Sequence, residues 1–142
     1  MELGTDKMTE KEKEEEYGAV RTYILKGMIE NADKPIVICD LDYRIIYLNK
    51  MAKAMYQKDD SKPILGTMLR RYFNEEDKSK LVMTIEWFKE SVNNNKVFAF
   101  YDEARNTDVY IKAARNEDGE LIGFYNYEEL RSRETGREYD MD

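Results

Sequence analysis

The hydrophobic positions of the chain first outline a helix with a single apolar stripe. Between residues 9 and 33, four apolar residues recur at spacings of three, four and four, which places them along one side of a helix. Thr9 and Glu12 form a capping-box signature at the start of this segment. The pattern therefore predicts an N-terminal amphipathic helix over residues 9–33. Its stripe consists of Tyr17, Val20, Ile24 and Met28.

Two short apolar segments that lead directly into a second helix follow the first one. Ile36–Cys39 contains only apolar residues, which is typical of a buried strand. Leu41–Arg44 has the composition of a turn, and Ile45–Leu48 is a second apolar segment of strand length. Asn49 then stands where a helix N-cap is expected. These residues predict a β-hairpin that feeds into a helix.

A longer helix and three further strands fill most of the remaining chain. Asn74 is the predicted N-cap of this helix, which is followed by strands at Val97–Tyr101, 109–114 and Leu121–Tyr127. Asp118-Gly119 predicts a tight turn before the last strand. The order of elements predicts an α+β fold. We expect a five-stranded antiparallel sheet with short helices and one longer connecting helix on one face, plus the N-terminal amphipathic helix.

Composition and charge limit the classes of partner that the chain is expected to bind. The 142 residues suit one domain, and 23 basic against 30 acidic residues give a net charge of −7. We therefore expect binding neither to nucleic acid nor to anionic membranes. No apolar run approaches the roughly 20 residues that span a bilayer, and the polar N-terminus does not resemble a secretory signal. The single cysteine, Cys39, fits a reducing compartment, so we expect a cytoplasmic protein.

The residue types present argue against catalysis. The chain has no histidine, which excludes a Ser-His-Asp triad, an HExxH zinc site and a histidine-ligated haem. Asp40 and Asp42 fit turn chemistry and lack the spacing of a calcium loop, so no metal site is expected. No paired carboxylates stand out, and the chain is predicted not to be an enzyme. Cys39 is interpreted as a small buried hydrophobe, with a pocket-lining or redox-sensing thiol as the alternative.

Several short motifs follow one another in a fixed order along the chain. Their positions are Asp40, Asn49, Ala52, Gly66–Phe73, Glu76-Asp77, Asn116–Gly119 and Gly123. This series resembles the motifs of the PAS family over about residues 34–134, although the last strand is followed by Glu129-Leu130-Arg131 in place of the family's usual Asp-x-Thr signature. Together with the residue patterns above, the resemblance implies a division into a disordered N-terminus (1–8), the N-terminal helix (9–33), a PAS domain (34–130) and a charged C-terminal tail (131–142).

The resemblance also implies where a ligand would bind. Members of the family bind flavin, haem, small carboxylates or apolar molecules between sheet and helices, or bind nothing, so the cofactor of this chain stays open. The segment after Gly66 contains no cysteine, which makes cysteinyl-flavin photochemistry unexpected. The family's strand pattern implies an inward-facing set of pocket residues. These are Val37, Cys39, Val109, Ile111 and Tyr125.

Two functions follow as hypotheses. The first is a bacterial-type sensor and interaction module that binds a small ligand or a partner. It would relay the change through the N-terminal helix or the C-terminal tail to an unidentified output protein, for example in transcription regulation. The second is a ligand-free structural dimerisation domain. In both, Tyr17, Val20, Ile24 and Met28 are the expected homodimer interface, unless the stripe folds onto its own sheet. Because the chain opens with Met and ends without a broken motif, we expect a free-standing protein rather than an excised domain.

Overall fold

The structure is a computed structural model that describes residues 7–131. Most of the predicted disordered N-terminus (1–8) and of the predicted tail (131–142) lies outside the described residues. The described residues form three α-helices, a short 3₁₀ helix and five strands. In chain order these are α1 (Glu10–Glu30), β1 (Val37–Asp40), β2 (Ile45–Leu48), α2 (Lys50–Tyr56), the 3₁₀ helix (Leu69–Tyr72), α3 (Glu75–Glu90), β3 (Lys96–Asp102), β4 (Thr107–Arg115) and β5 (Leu121–Leu130).

The five strands form one antiparallel sheet in the order β2-β1-β5-β4-β3. The last strand pairs with the first, so the two groups of strands close into a single sheet around the helical segment between them. This arrangement confirms the predicted α+β architecture. It also places β2 and β3 at the two edges.

Strand boundaries differ from the predicted ones where a side chain or a neighbouring strand forms hydrogen bonds with the backbone. β1 begins one residue later than expected, because the amide of Ile36 donates to the side chain of Asn49 at 2.9 Å. β5 continues three residues past Tyr127, because Glu128–Leu130 pair with Thr107–Val109 of β4. The first difference reflects a side-chain contact and the second a long-range pairing.

The hydrophobic core lies between the sheet and the helices α2 and α3. α3 begins at its predicted N-cap Asn74, whose side chain accepts from the amide of Asp77 at 2.8 Å. Its apolar stripe packs on the sheet through buried side chains, and α2 adds one small residue. Burial of this apolar surface stabilises the fold. The fully buried core consists of Cys39, Ile45, Leu48, Ala52, Leu81, Ile85, Phe88 and Phe124.

Candidate functional site

The strand pairing assigns each sheet residue to one of two faces. Cys39 lies opposite Phe124, which in turn lies opposite Ala113. These residues share the face that packs on α2 and α3, here called the inner face. Neighbouring residues along a strand point to opposite sides. Ile38, Tyr125 and Lys112 are paired in the next row and therefore belong to the outer face.

Four of the five predicted pocket residues lie together on the inner face. Val37, Cys39, Val109 and Ile111 alternate along β1 and β4 in the same phase as the core residue Phe124. Tyr125 does not join them. It follows Phe124 directly and pairs with residues of the outer face, so the expectation that it points inward is corrected. A one-residue difference in register reverses the face of a strand residue. Ligand binding by any of the five stays a prediction.

The inner face is filled by packed side chains around Cys39. This residue is 1% exposed and contributes to the core as a small apolar group. Burial, together with the nearby charge of Asp40, raises the pKa of Cys39 to about 12. Because the thiolate is the reactive form, the thiol is unreactive near neutral pH. The structure thus favours the interpretation of Cys39 as a buried hydrophobe over that of a redox sensor.

An ion-pair cluster that the sequence analysis missed lies on the inner face. It is located where the turn between β3 and β4 meets the C-terminal part of β5. The Arg105 guanidinium donates to both carboxylate oxygens of Glu128, at 2.8 and 3.2 Å, and to Asp102 at 2.8 Å. Glu128 is 3% exposed, and the two carboxylates raise the pKa of Arg105. The cluster ties β3 to β5 through the turn between β3 and β4. An acidic residue in phase with Phe124 and Asn126 of β5 was the available signal.

The outer face carries aromatic rings with lysine ammonium groups held above them. The Nζ atom of Lys96 lies 4.3 Å from the ring centre of Tyr110, and that of Lys112 lies 4.4 Å from the ring centre of Tyr127. Phe98 meets Tyr110 edge to face at 5.6 Å. Such cation–π contacts stabilise by about 0.5–1 kcal/mol at exposed sites. Lys34 also lies over Tyr127, at 5.4 Å.

Helix α1 extends from the domain and is held at its last turn. The side chain of Asn49 donates to the carbonyl of Ile29 at 2.9 Å, and the Tyr47 hydroxyl donates to the Glu30 carboxylate. These are the hydrogen bonds that join α1 to the rest of the described chain. Partial desolvation and the bond to Glu30 raise the pKa of Tyr47 to about 12, so this donor stays protonated at neutral pH.

The predicted stripe of α1 is exposed along its whole length. Within the described chain, α1 has no buried residue, so the stripe does not fold onto its own sheet. The helix surface around Tyr17, Val20 and Ile24 is only a shallow, open depression beside Arg21 and Leu25. The exposed fractions are 44% for Tyr17, 56% for Val20, 58% for Ile24 and 64% for Met28.

Two amide side chains, the buried Asn49 and the half-buried Asn126, fix the linker between α1 and β1. Asn49 is fully buried and accepts from the amides of Ile36 and Ala52, both at 2.9 Å, which confirms its predicted role as the N-cap of α2. Its amide group donates to Lys34 at 2.8 Å as well as to α1. Asn126 accepts from Val37 and donates to the carbonyl of Pro35, both at 2.8 Å. The linker is therefore rigidly joined to α2 and β5.

Among residues 7–131, no three His, Cys, Asp or Glu side chains come together as a metal site would require. Within the same residues, no helix has the length and apolar character needed to cross a bilayer.

Comparison with known proteins places these features in a family. The family model described as the PAS fold matches residues 23–125. A search of curated proteins found no match. Among solved structures, the PAS domain of a protein from Colwellia psychrerythraea is similar, with 13% identity and a TM-score of 0.57, over 80% of this chain and 98% of that one.

Two further structures show the same fold. The PAS domain of an HTR-like protein from Haloarcula marismortui is 18% identical with a TM-score of 0.55, over 82% of this chain and 97% of that one. A C-terminal domain from Streptococcus mutans is 17% identical with a TM-score of 0.59, over 78% of this chain and 85% of that one. At these identities the likeness concerns the fold.

Proposed function

Because this chain belongs to the PAS family, whose members are generally signal-sensing modules, we propose that it senses and interacts as a homodimer joined through α1. The observation that carries the proposal is the exposed apolar stripe on a helix that is held at one end only. Exposure of four apolar side chains to water is unfavourable, so their burial against a partner surface would stabilise the complex. In a two-fold dimer, each stripe would be covered by the same region of the other copy.

The contacts at the last turn of α1 suggest how a signal would travel. Asn49 joins α1, the linker, and the first turn of α2, and α2 packs on the inner face. A ligand or partner that shifts α2 or the sheet would therefore change the position of α1. The output would be read by another protein in the cytoplasm of a bacterial-type cell, through α1 or through the C-terminal tail. Transcription regulation is one such output.

A ligand-free dimerisation domain is the second candidate function. The packing on the inner face favours this function, because the side chains that fill the core leave no space for a small molecule. The residues concerned are Val37, Cys39, Val109 and Ile111. Native mass spectrometry of the purified protein distinguishes the two. Additional mass that is lost on denaturation supports a ligand-binding sensor, whereas an unmodified mass supports the ligand-free domain.

The role of the stripe is tested by placing charge on it. Tyr17→Glu combined with Ile24→Glu is expected to raise the dimer Kd about 100-fold or more, because two carboxylates would be buried in an apolar interface. Analytical ultracentrifugation measures the Kd. The far-ultraviolet circular dichroism should show that the domain stays folded.

A matched control adds the same charge to the opposite side of the helix. Ala19 and Thr22 are exposed and lie on the side away from the stripe, so Ala19→Glu with Thr22→Glu should leave the Kd within about threefold of the parent value. Equal Kd values for the stripe variant and the parent would contradict the dimer role of α1.

A further inference from the structure

Three lysine side chains on the outer face converge on one aromatic ring. The Nζ atoms of Lys112, Lys96 and Lys34 lie 4.4, 5.2 and 5.4 Å from the ring centre of Tyr127. These lysines come from three separate parts of the chain, namely β4, β3 and the linker before β1. Three positive charges are therefore held within 5.4 Å of one point, on a chain whose net charge is −7.

The fold brings these charges together although they repel one another. Lys96 and Lys112 are direct partners across β3 and β4, and like charges in this position destabilise a sheet. Within residues 7–131, the one carboxylate that forms an ion pair with the three ammonium groups is Glu129, at 3.8 Å from Lys96. The carboxylate of Asp108 on the same face is paired with Arg131. The cluster thus keeps an excess of positive charge, which a bound anion would neutralise.

Most N–H donors of this lysine cluster have no acceptor within residues 7–131. Each ammonium group carries three N–H donors. Lys34 donates one of them to the carbonyl of Glu128 at 2.8 Å, and the 3.8 Å between Lys96 and Glu129 exceeds the length of a normal hydrogen bond. Because the ring already holds the ammonium groups in place, less side-chain freedom is lost when a ligand binds. The cluster therefore offers several donors that are positioned in advance.

These donors suit a phosphoryl group better than a carboxylate. A phosphoryl group directs three oxygens to different sides, whereas a carboxylate offers two in one plane. Lysine ammonium groups bind phosphate as point charges. The net charge of −7 opposes a nucleic acid backbone or an anionic membrane, because both carry many negative charges beyond the site. The chemistry therefore favours a small free anion.

We propose that Lys34, Lys96 and Lys112 form a binding site for a small phosphorylated anion on the outer face of the sheet. This binding is independent of the proposed homodimer. The carbonyl of Lys34 accepts from the Asn49 amide that also holds Ile29 of α1, at 2.8 and 2.9 Å. An anion held by Lys34 would therefore stiffen the exit of α1, and this second step rests on the proposed relay through α1.

Titration with pyrophosphate tests the site. Isothermal titration calorimetry of the full chain at about 50 mM salt should show one pyrophosphate bound per chain. Lys96→Gln with Lys112→Gln should raise the pyrophosphate Kd about tenfold or more, because two charge-assisted contacts are lost. Inorganic phosphate should bind more weakly than pyrophosphate, since it carries fewer charges and oxygens.

A matched control removes the same charge elsewhere. Lys80 and Lys89 are exposed on α3, and Lys80→Gln with Lys89→Gln should leave the pyrophosphate Kd within about twofold of the parent value. Thermal melts report whether each variant folds. If the double variant of the cluster does not fold, Lys112→Gln alone takes its place, with an expected increase in Kd of about threefold.

Two results would overturn the site. One is an equal pyrophosphate Kd for the parent and the cluster variant, and the other is a signal that sodium chloride of the same ionic strength reproduces. Vesicles of phosphatidylcholine with about 5% phosphoinositide present the same phosphoryl chemistry on a membrane. Cosedimentation with these vesicles that needs Lys96 and Lys112, without binding of free pyrophosphate, would overturn the assignment to a free anion.

Hydrogen exchange tests the link to α1. Saturating pyrophosphate should slow the exchange of amides in the last turn of α1 about threefold, and Lys34→Gln should remove this effect. Unchanged exchange with pyrophosphate bound would overturn the link and leave the site in place. A monomeric parent chain that binds pyrophosphate would overturn the proposed dimer and support the site.

Discussion

Gly123 lies in the sheet at a position with no room for a side chain. A Cβ atom added there would lie 2.4 Å from the carbonyl oxygen of Cys39, a backbone atom of the neighbouring strand. Backbone in the middle of a sheet cannot move aside without breaking its own ladder. A glycine at this position therefore permits the close approach of β1 and β5, which joins the two groups of strands.

We expect Gly123→Ala to lower the free energy of unfolding by about 3 kcal/mol, because the added methyl group forces the strands apart. Urea unfolding followed by the fluorescence of Trp87, which lies beside the core residue Phe88, measures the change. Gly27→Ala is the control, since nothing lies within 4 Å of a Cβ atom there, and its midpoint should match the parent. A parental midpoint for Gly123→Ala would contradict this account.

At the residue scale, local chemistry was predictable and side-chain orientation less so. The N-cap roles of Asn49 and Asn74 followed from residue type and position, and the structure confirms both. The direction of Tyr125 depended on strand register, which long-range pairing sets. The alternation of β5 places Glu128 on the same face as Phe124, but its partner Arg105 lies 23 positions away, so the sequence could not identify the bond between them.

At the scale of elements, the C-terminal end of α3 is completed from another part of the chain. The helix ends at Glu90, and two side chains bind carbonyls of its last turn: Asn94 donates to that of Trp87 at 2.8 Å, and the Arg115 guanidinium donates to that of Phe88. One of its nitrogens, Nη2, donates to the carbonyls of Phe88, Ser91 and Asn94 at 2.7, 3.0 and 3.1 Å. A cation at this end of a helix also complements the dipole. Arg115 thus joins α3 to the end of β4.

Replacement of Arg115 should loosen α3. We expect Arg115→Ala to cost about 2–3 kcal/mol of unfolding free energy, and Arg115→Lys to cost less, because an ammonium can satisfy only part of this set of carbonyls. Hydrogen exchange of the last turn of α3 should accelerate in both variants. Arg71→Ala removes an exposed arginine and serves as the control, with an expected change within about 0.5 kcal/mol. Unchanged exchange in Arg115→Ala would refute the capping role.

The existence of α1 could be predicted, but its relation to the domain could not. The spacing of its apolar residues and the Thr9 capping box indicated a helix, and both features are present. The same stripe would suit a helix folded onto its own sheet and a helix directed away from it. The contacts that separate these arrangements lie at Ile29 and Glu30, where long-range bonds to Asn49 and Tyr47 set the exit of the helix.

At the scale of the whole molecule, the domain and α1 are energetically distinct. The core lies entirely between the sheet, α2 and α3, and α1 contributes no residue to it. The sequence predicted the five strands and the side covered by helices, because alternation and turn signals are local. The pairing of β1 with β5 followed only from the need to close the sheet.

Removal of residues 1–22 should therefore leave a folded domain. We expect the free energy of unfolding, measured with urea, to change by less than about 0.5 kcal/mol, because the removed part of α1 buries nothing in the domain. The same truncation should abolish the dimer in sedimentation velocity, since Tyr17 and Val20 are lost. Unfolding of the truncated chain would show that α1 contributes to the core, and a persistent dimer would show that another surface joins the copies.

The single attachment of α1 has a mechanical consequence. A helix of 21 residues is about 31 Å long, and α1 is fastened at Ile29 and Glu30. A rotation of α1 about the side-chain amide of Asn49 would therefore move the distal end of the helix most. A tilt of about 10° about this point corresponds to a displacement of about 5 Å at the distal end, one helical turn. In the proposed relay, a small adjustment around Asn49 would thus become a movement of α1 large enough for another protein to recognise.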